Sequence, residues 1–371
     1  MLVGLDGRGL SAAARSGVER YVVELARALA QLDDRPDMLA YTDGPIPDAD
    51  LSRALSGRLE TRLIAARRGW LRVALPWRLW RDRVDLVHLP STILPPLLPC
   101  PAVVTVHDLA WRKHPETYAP DDLAMQSRAA SGVRRAAHVI AVSETTARDV
   151  MDLLGIPRDK ITVTPLAVSA QFSPEGARVP AGAFEGAERL AEGYVLYAGG
   201  LAPRKNLVRL LEAYQQVARE TQAPPLVLPG ADSPHARELR RRAAELGLQD
   251  RVIFPGYVEE ALLPALYRGA TVFVYPSLYE GFGMAVLEAM ASGLPVITSD
   301  RSGTAEAAAD AALLVSPESV EEIASALARL LGDEQLRSDL AARGLRRSKA
   351  CDWRQTARQT IAAYGRAVRG A

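Results

Sequence analysis

The chain has 371 residues, 48% hydrophobic and 24% charged, which is too long for one ordinary core, so two domains are expected. A formal net charge of +1 excludes a global pull toward nucleic acid or membrane and leaves only local attraction. Cys100 and Cys351 are the only cysteines, which excludes a disulfide framework or a structural zinc set and fits a reducing compartment.

The opening MLVGLDGRGL lacks a basic stretch followed by an apolar one, so it does not read as a signal peptide. No apolar run approaches the roughly 20 residues needed to span a bilayer. A cytoplasmic protein is expected, with any membrane contact peripheral and on the inner face.

In chain order, the first strand is LVGLD at 2–6. Gly7, Gly9 and Ala12 then match G-x-G-x-x-A, the dinucleotide-binding pattern, which requires a helix to open inside the glycine turn. Here Ser16-Gly17-Val18-Glu19 forms a capping box ahead of the amphipathic RYVVELARALAQL, so the helix starts later and GRGLSAAAR reads as a loop. That argues against an NAD-dependent oxidoreductase. Gly7 and Gly9 read as turn glycines. Gly17 either serves a turn or lets an anion approach the bare backbone at the helix start.

Strands follow at 39–42, 85–89, 102–106, 138–142 and 161–165. Between the first two lies Asp48-Ala49-Asp50, a D-x-D in a proline-flanked polar segment, read as a chance loop match. Residues 62–83 carry seven arginines with Trp70, Trp77 and Trp80. Such a composition on an amphipathic element suits an anionic lipid surface. The alternative is that the tryptophans pack on the sheet, the arginines are solvated and Pro76 interrupts the helix.

Residues 172–193, rich in Gly, Pro and Ala and without a sustained period, read as the linker. Strands resume at 194–198, 225–229, 251–255, 271–276 and 294–299, and 353–368 forms one last helix. Strand–helix alternation with nearly continuous apolar strands predicts parallel sheets buried on both faces. The expected fold is α/β, with two doubly wound Rossmann-like domains, 1–175 and 190–351, facing a central cleft that is the default site.

The stretch YEGFGMAVLEAMASGLPV, 279–296, places one carboxylate inside an apolar helix and a second just ahead of it. Gly281 and Gly283 keep the entry irregular, and the helix is expected from Met284 to Ser292, ended by Gly293 and Pro295. Glu280 then lies in the loop and Glu288 one turn into the helix. The amides of Gly283, Met284 and Ala285 are first-turn donors able to bind a phosphate or sugar oxygen. Arg204 and Lys205 follow the strand at 194–198, with Asn206 as a candidate N-cap, and two cations there can neutralise a diphosphate without a metal. The five histidines show no metal-ligand spacing.

The E-x7-E of Glu280 and Glu288, the run Arg204-Lys205-Asn206 and TVHDL at 105–109 together resemble the family-4 retaining glycosyltransferases of the GT-B fold. The resemblance covers essentially the whole chain, including a final helix, 352–371, that in this fold crosses back to the N-terminal domain. It implies that Glu280 contacts the donor sugar, Glu288 the ribose hydroxyls, and Arg204 and Lys205 the diphosphate. Gly281, Phe282, Gly283, Met284 and Ala285 would line the donor site. His107 would sit beside the transferred sugar and Gly17 would face the donor phosphates. Gly256, Tyr257 and Val258 would supply the backbone that reads the base. Where family members often carry Asn-Gly after the strand at 161–164, this chain reads Pro165-Leu166-Ala167.

The implied reaction moves a hexose from a nucleotide-sugar to a glycan or lipid-linked hydroxyl with retention, without a cofactor or a metal. GLDGRGL…SGVERYV and AGGLAPRKN look most like bacterial mannosyltransferases of polysaccharide assembly, so GDP-mannose is the expected donor. No nucleic-acid partner is expected. The alternative is a non-enzymatic sugar-nucleotide binder on the same scaffold.

Overall fold

The computed structural model describes residues 1–13, 15–66 and 68–370, without the side chain of Arg128. Ala14 of the expected loop, Arg67 of the basic segment and Ala371 of the expected last helix lie outside the described residues. The chain divides into two compact units, Met1–Leu166 with Asp352–Ala371, and Ala167–Cys351.

The first unit contains β1 (Leu2–Asp6), α1 (Arg8–Ser11), α2 (Gly17–Ala30), β2 (Asp37–Thr42), α3 (Ala49–Leu55), β3 (Glu60–Leu63), α4 (Leu75–Arg81) and β4 (Leu86–Leu89). It continues with β5 (Ala102–Val106), α5 (Ala110–Lys113), α6 (Pro120–Val133), β6 (His138–Ala141), α7 (Glu144–Leu154) and β7 (Ile161–Val163). The seven strands form one sheet in the order β3-β2-β1-β4-β5-β6-β7, every pair parallel. From β1 the chain winds outward to β3, then returns to the far side of β1 with β4. The crevice beyond the carboxyl ends of β1 and β4 is therefore the topological switch point, where open sheets take ligands.

The second unit contains β8 (Val195–Leu196), α8 (Leu207–Glu220), β9 (Leu226–Val227), α9 (Pro234–Glu245), β10 (Val252–Ile253), α10 (Leu263–Gly269), β11 (Val272–Tyr275) and α11 (Met284–Ala291). It ends with β12 (Val296–Ser299), α12 (Ser302–Ala308), β13 (Leu313–Val315), α13 (Val320–Gly332) and α14 (Glu334–Ala350). Its parallel sheet runs β10-β9-β8-β11-β12-β13, which places its switch point between β8 and β11. The last helix, α15 (Trp353–Arg369), belongs to the first unit and packs on α2 and on β5 to β7.

Four sequence expectations change. The segment at 172–193 is not a free linker but part of the second unit: Phe172 meets Tyr267 edge-on at 5.4 Å and Arg268 Nε donates to the Ala177 carbonyl at 2.8 Å. Its small residues pack without leaving a periodic trace. The stretch after β1 holds the one-turn helix α1, too short for periodicity to announce, and Gly9 lets it lie directly against Val22 and Glu19 of α2. Of the D-x-D segment, only Asp48 stays in the loop, where it caps α3 by accepting from the Leu51 amide at 2.9 Å, while Ala49 and Asp50 form the first turn of α3. Pro76 does not interrupt a helix: a π-turn at Trp70–Ala74, with the Leu75 amide reaching the Trp70 carbonyl, leads straight into α4, and the helical run continues through Pro76.

Large buried tyrosines build both cores, and each must find a partner for its hydroxyl. In the first unit these partners form a chain. Tyr364 of α15 meets His88 Nδ1 at 2.8 Å, His88 Nε2 meets Thr105 Oγ1 at 2.8 Å, and Thr105 Oγ1 meets Tyr21 of α2 at 3.1 Å. Burial pushes His88 down to about 3, so the ring is neutral and gives one nitrogen as donor and the other as acceptor. The hydroxyl of Thr105 is the single link between the two halves of this chain. Thr105→Val keeps the shape and removes it, and is expected to cost about 1–3 kcal/mol in denaturant unfolding, with Thr105→Ser restoring most of the loss.

Candidate active site

At the switch point of the second unit, the segment after β8 and the loop after β11 are tied together. The Leu278 amide donates to the Arg204 carbonyl at 2.9 Å, and Arg204 NH1 donates to the Tyr279 carbonyl at 3.1 Å. Asn206 is not the side-chain cap expected from sequence. It adopts a left-handed backbone, φ 63°, and its amide group donates to the carbonyls of Pro276 at 3.0 Å and Pro317 at 2.5 Å. Its side chain therefore closes loop backbone that would otherwise be buried without partners.

This framework converges Arg204, Lys205 and Glu280. Glu280 Oε1 accepts from Arg204 NH1 at 2.8 Å, from Ser277 Oγ at 2.6 Å, from Tyr275 Oη at 3.4 Å and from Lys205 Nζ. Lys205 Nζ also donates to Tyr275 Oη at 2.6 Å and lies 5.0 Å from that ring's centre, and Tyr275 stacks on Tyr197 at 5.4 Å. Lys205 and Glu280 are both buried. Every one of these contacts falls on Oε1, which leaves Oε2 of Glu280 uncommitted among the described residues.

Burial alone would raise the Glu280 carboxyl. Lys205, then Arg204, with hydrogen bonds from Lys205 and Ser277, more than offset it and bring the group from its ordinary 4.5 to about 2.

The loop from Glu280 to α11 has the form expected from sequence. Gly283 stands at φ 117°, a conformation that excludes other side chains, and α11 begins at Met284. The first-turn amides of Met284 and Ala285 have no carbonyl one turn earlier in the helix. Two residues the sequence did not single out hold this loop in place. The Glu280 amide donates to Ser302 Oγ at 3.2 Å, and the Gly303 amide donates to the Glu280 carbonyl at 2.9 Å. A Cβ on Gly303 would fall 2.3 Å from the Gly281 carbonyl, so only glycine allows the approach. Ser302 adopts φ 62°, a strained conformation for a non-glycine residue, beside the same loop. The only sequence trace is the dipeptide Ser302-Gly303 after β12.

Glu288 lies in the second turn of α11, buried, with Tyr267 Oη donating to its Oε2 at 3.0 Å. Gly256 sits at φ 78° after β10, with its carbonyl accepting from the Gly230 amide at 2.9 Å. Tyr257 is exposed and Val258 buried. Gly281 and Phe282 are buried in the loop before α11.

In the first unit, His107 follows β5 and stacks edge-on to Tyr21 at 4.8 Å. Its Nε2 lies 3.0 Å from the Pro90 carbonyl, which only accepts, so Nε2 carries the hydrogen. Burial holds His107 below its ordinary value despite the Pro90 bond, which makes it neutral at pH 7 with Nδ1 as an acceptor. Gly17 opens α2 behind Ser16, where the expected capping box is present: the Ser16 amide donates to Glu19 at 2.9 Å.

Residues 15–172 match the family described as Glycosyltransferase Family 4, and residues 183–347 match Glycosyl transferases group 1. The chain is 32% identical over 367 residues to the O-antigen chain mannosyltransferase B of Escherichia coli, an alignment that covers 94% of this chain and 96% of that one. The chain belongs to the group 1, family 4 glycosyltransferases. Among solved structures it is similar to a sucrose-phosphate synthase from Thermosynechococcus elongatus, with TM-score 0.75 and 22% identity over 98% of both chains. It is also similar to Anabaena Alr3699/HepE in complex with UDP and glucose, with TM-score 0.72 and 19% identity over 98% of this chain and 99% of that one. These neighbours share the fold of two parallel-sheet α/β domains, the GT-B architecture. The enzyme is a hexosyltransferase.

A titration follows from the Glu280 cluster. The carboxyl is held below its unfolded value, so the stability its charge contributes is complete above about 4.5 and is lost as pH falls through about 2. Glu280→Gln is expected to lose about 3 kcal/mol at pH 7. The gap to the wild type should close between pH 4.5 and 2, measured by urea unfolding across that range. A gap independent of pH would show that the charge is not what the cluster stabilises.

Proposed function

We propose that this hexosyltransferase moves mannose from GDP-mannose to a hydroxyl of a glycan or lipid-linked acceptor, with retention of anomeric configuration and without a metal. The observation that carries the reading is the asymmetry at Glu280: one oxygen is fixed by Arg204, Lys205, Ser277 and Tyr275, and the other is left for a sugar hydroxyl. A carboxylate only accepts and a hydroxyl donates, so the uncommitted oxygen suits a sugar.

In this reading Arg204 and Lys205 hold the diphosphate together with the amides of Gly283, Met284 and Ala285. As the glycosidic bond breaks, negative charge builds on the departing phosphate, and groups already oriented toward it lower the barrier. Glu288, fixed by Tyr267, takes the ribose hydroxyls. Gly281 and Phe282 line the donor, and the backbone of Gly256, Tyr257 and Val258 takes the base. Gly17 faces the donor phosphates and His107 meets the transferred sugar. Retention follows if the acceptor attacks the face the diphosphate leaves, with a phosphate oxygen taking its proton. The mannosyl donor is supported by the likeness to the Escherichia coli mannosyltransferase.

The test is a panel of GDP-, UDP- and ADP-sugars with release of nucleoside diphosphate measured for each, and the product anomer read by NMR. GDP-mannose is expected to give the highest turnover. Lys205→Ala is expected to lower kcat/KM by about 10²–10³-fold, and turnover near the wild-type level in that variant would remove the assignment. Binding of a sugar nucleotide without release of its diphosphate would favour a non-enzymatic binder.

The segment at 62–83 supports a peripheral membrane role. Trp70 is buried in the core of the first unit, but Trp77 and Trp80 are 52% and 68% exposed, and Leu63 and Val73 of the same segment are exposed as well. The expectation that all three tryptophans pack on the sheet therefore holds only for Trp70. Beside α4 a cavity of about 500 Å³ is lined by Leu79, Trp80, Arg81, Arg83, Val84 and Pro99, pairing apolar walls with two guanidinium groups. Such a face suits the headgroup region of an anionic bilayer on the cytoplasmic side. Among the described residues no helix is long and apolar enough to cross a membrane. Co-sedimentation with vesicles containing phosphatidylglycerol is expected at low salt and should fall at least fivefold in Trp77→Ala/Trp80→Ala. Equal sedimentation with purely zwitterionic vesicles, or none with either, would exclude this role.

A further inference from the structure

A second cluster stands at the switch point of the first unit and takes no part in the donor site described above. Asp6 ends β1 and is buried, with its side chain 4% exposed. Arg8 opens α1 and grips it with two arms, Nε to Oδ1 at 2.9 Å and NH2 to Oδ2 at 2.7 Å. The Arg8 guanidinium lies over the ring of Trp70, 4.5 Å from its centre, and its side chain remains 36% exposed. Trp70 is 93% buried (7% exposed), yet its indole N–H finds no acceptor among the described residues. Beyond β2, Asp43 accepts from Ser11 Oγ at 2.6 Å and lies close enough to act on Arg8 electrostatically.

Each feature is costly or unexplained as packing alone. A buried N–H without an acceptor costs about 1–3 kcal/mol. An arginine whose plane is clamped by a carboxylate on one side and an aromatic face on another is preorganised, with part of its donor set still facing outward. Arg8 lies beyond the carboxyl end of β1, a strand that borders the switch point where such sheets take ligands, and the Trp70 ring lies beneath its guanidinium.

We propose that Arg8 and Trp70 form a saccharide-binding subsite for the acceptor, and that Asp6 is the positioning residue that holds Arg8 in place. The proposal rests on the reading of the chain as a transferase to a glycan acceptor. Charge selects the ligand class. Arg8 is balanced by Asp6, and Asp43 adds a further negative charge, so the cluster does not attract an anion. A neutral polyol satisfies it: hydroxyl oxygens accept from Arg8 and from the Trp70 N–H, and a hydroxyl donates to Asp43. The acceptor group recognised here is thus a neutral sugar ring and not a phosphate.

The test titrates the protein, saturated with GDP, with α-mannobiose, maltose and glycerol phosphate, using calorimetry and saturation-transfer NMR. Binding of at least one disaccharide and none of glycerol phosphate is expected. Trp70→Phe, which keeps an aromatic face under Arg8 but removes the N–H together with the pyrrole half of the indole, and Arg8→Gln should each weaken disaccharide binding at least tenfold. Their affinity for GDP should be unchanged. Asp6→Asn should raise the disaccharide Kd without moving the GDP Kd. Disaccharide binding at wild-type strength in both Trp70→Phe and Arg8→Gln overturns the proposal. So does tighter binding of glycerol phosphate than of either sugar, or no saccharide binding by the wild type. Failure of the wild type to bind GDP would count separately, against the donor assignment, because the saccharide titration can be repeated without nucleotide.

Discussion

A buried ammonium and a buried carboxylate, Lys205 and Glu280, share one position with Arg204 at the carboxyl ends of β8 and β11, and much of the second unit is arranged to keep them paired. Removing either partner would leave a desolvated charge, which costs far more than the pair contributes. The surroundings reflect this. Tyr275 and Ser277 supply hydroxyls to Oε1, Asn206 ties the carbonyls of Pro276 and Pro317, and Ser302 and Gly303 clamp the loop from the other side. A cluster this constrained is a weak device for stability and a strong one for orientation, since it holds one carboxylate oxygen in a fixed direction.

The same architecture places chemistry in both units. In each sheet the winding reverses once, between β1 and β4 and between β8 and β11. The segments that leave the central strands at those points cannot be covered by the crossover helices, which diverge to opposite faces. Charged and polar side chains accumulate there: Asp6 and Arg8 in one unit, Arg204, Lys205 and Glu280 in the other. His107 leaves β5, one strand further out, and its tautomer is set by a carbonyl that follows β4.

How much of this could be read in advance varied with the kind of signal. Strands buried on both faces announced themselves as apolar runs. Two strands were not read: β3 (Glu60–Leu63), an edge strand where one side faces water and charge is tolerated, and β13 (Leu313–Val315), an apolar edge strand only three residues long. The entry to α11 was legible because Gly283 and the pattern that follows it are local. The pairing of Arg204 and Lys205 with Glu280, 75 or more residues later, was not, because no periodicity spans that distance. The same limit hid Tyr267 beneath Glu288, Gly303 against Gly281, and Trp70 beneath Arg8.

The order of strands and helices, the residue types at the ends of the central strands and the capping of α2 were determined by the amino-acid sequence alone, since each depends on neighbours within one or two turns. Only the tertiary structure decided which oxygen of Glu280 is committed, that Asn206 bridges two carbonyls instead of capping α8, and that an indole N–H is left without an acceptor beside Arg8. Those outcomes depend on which distant segments share the same few ångströms, and chain packing alone sets that.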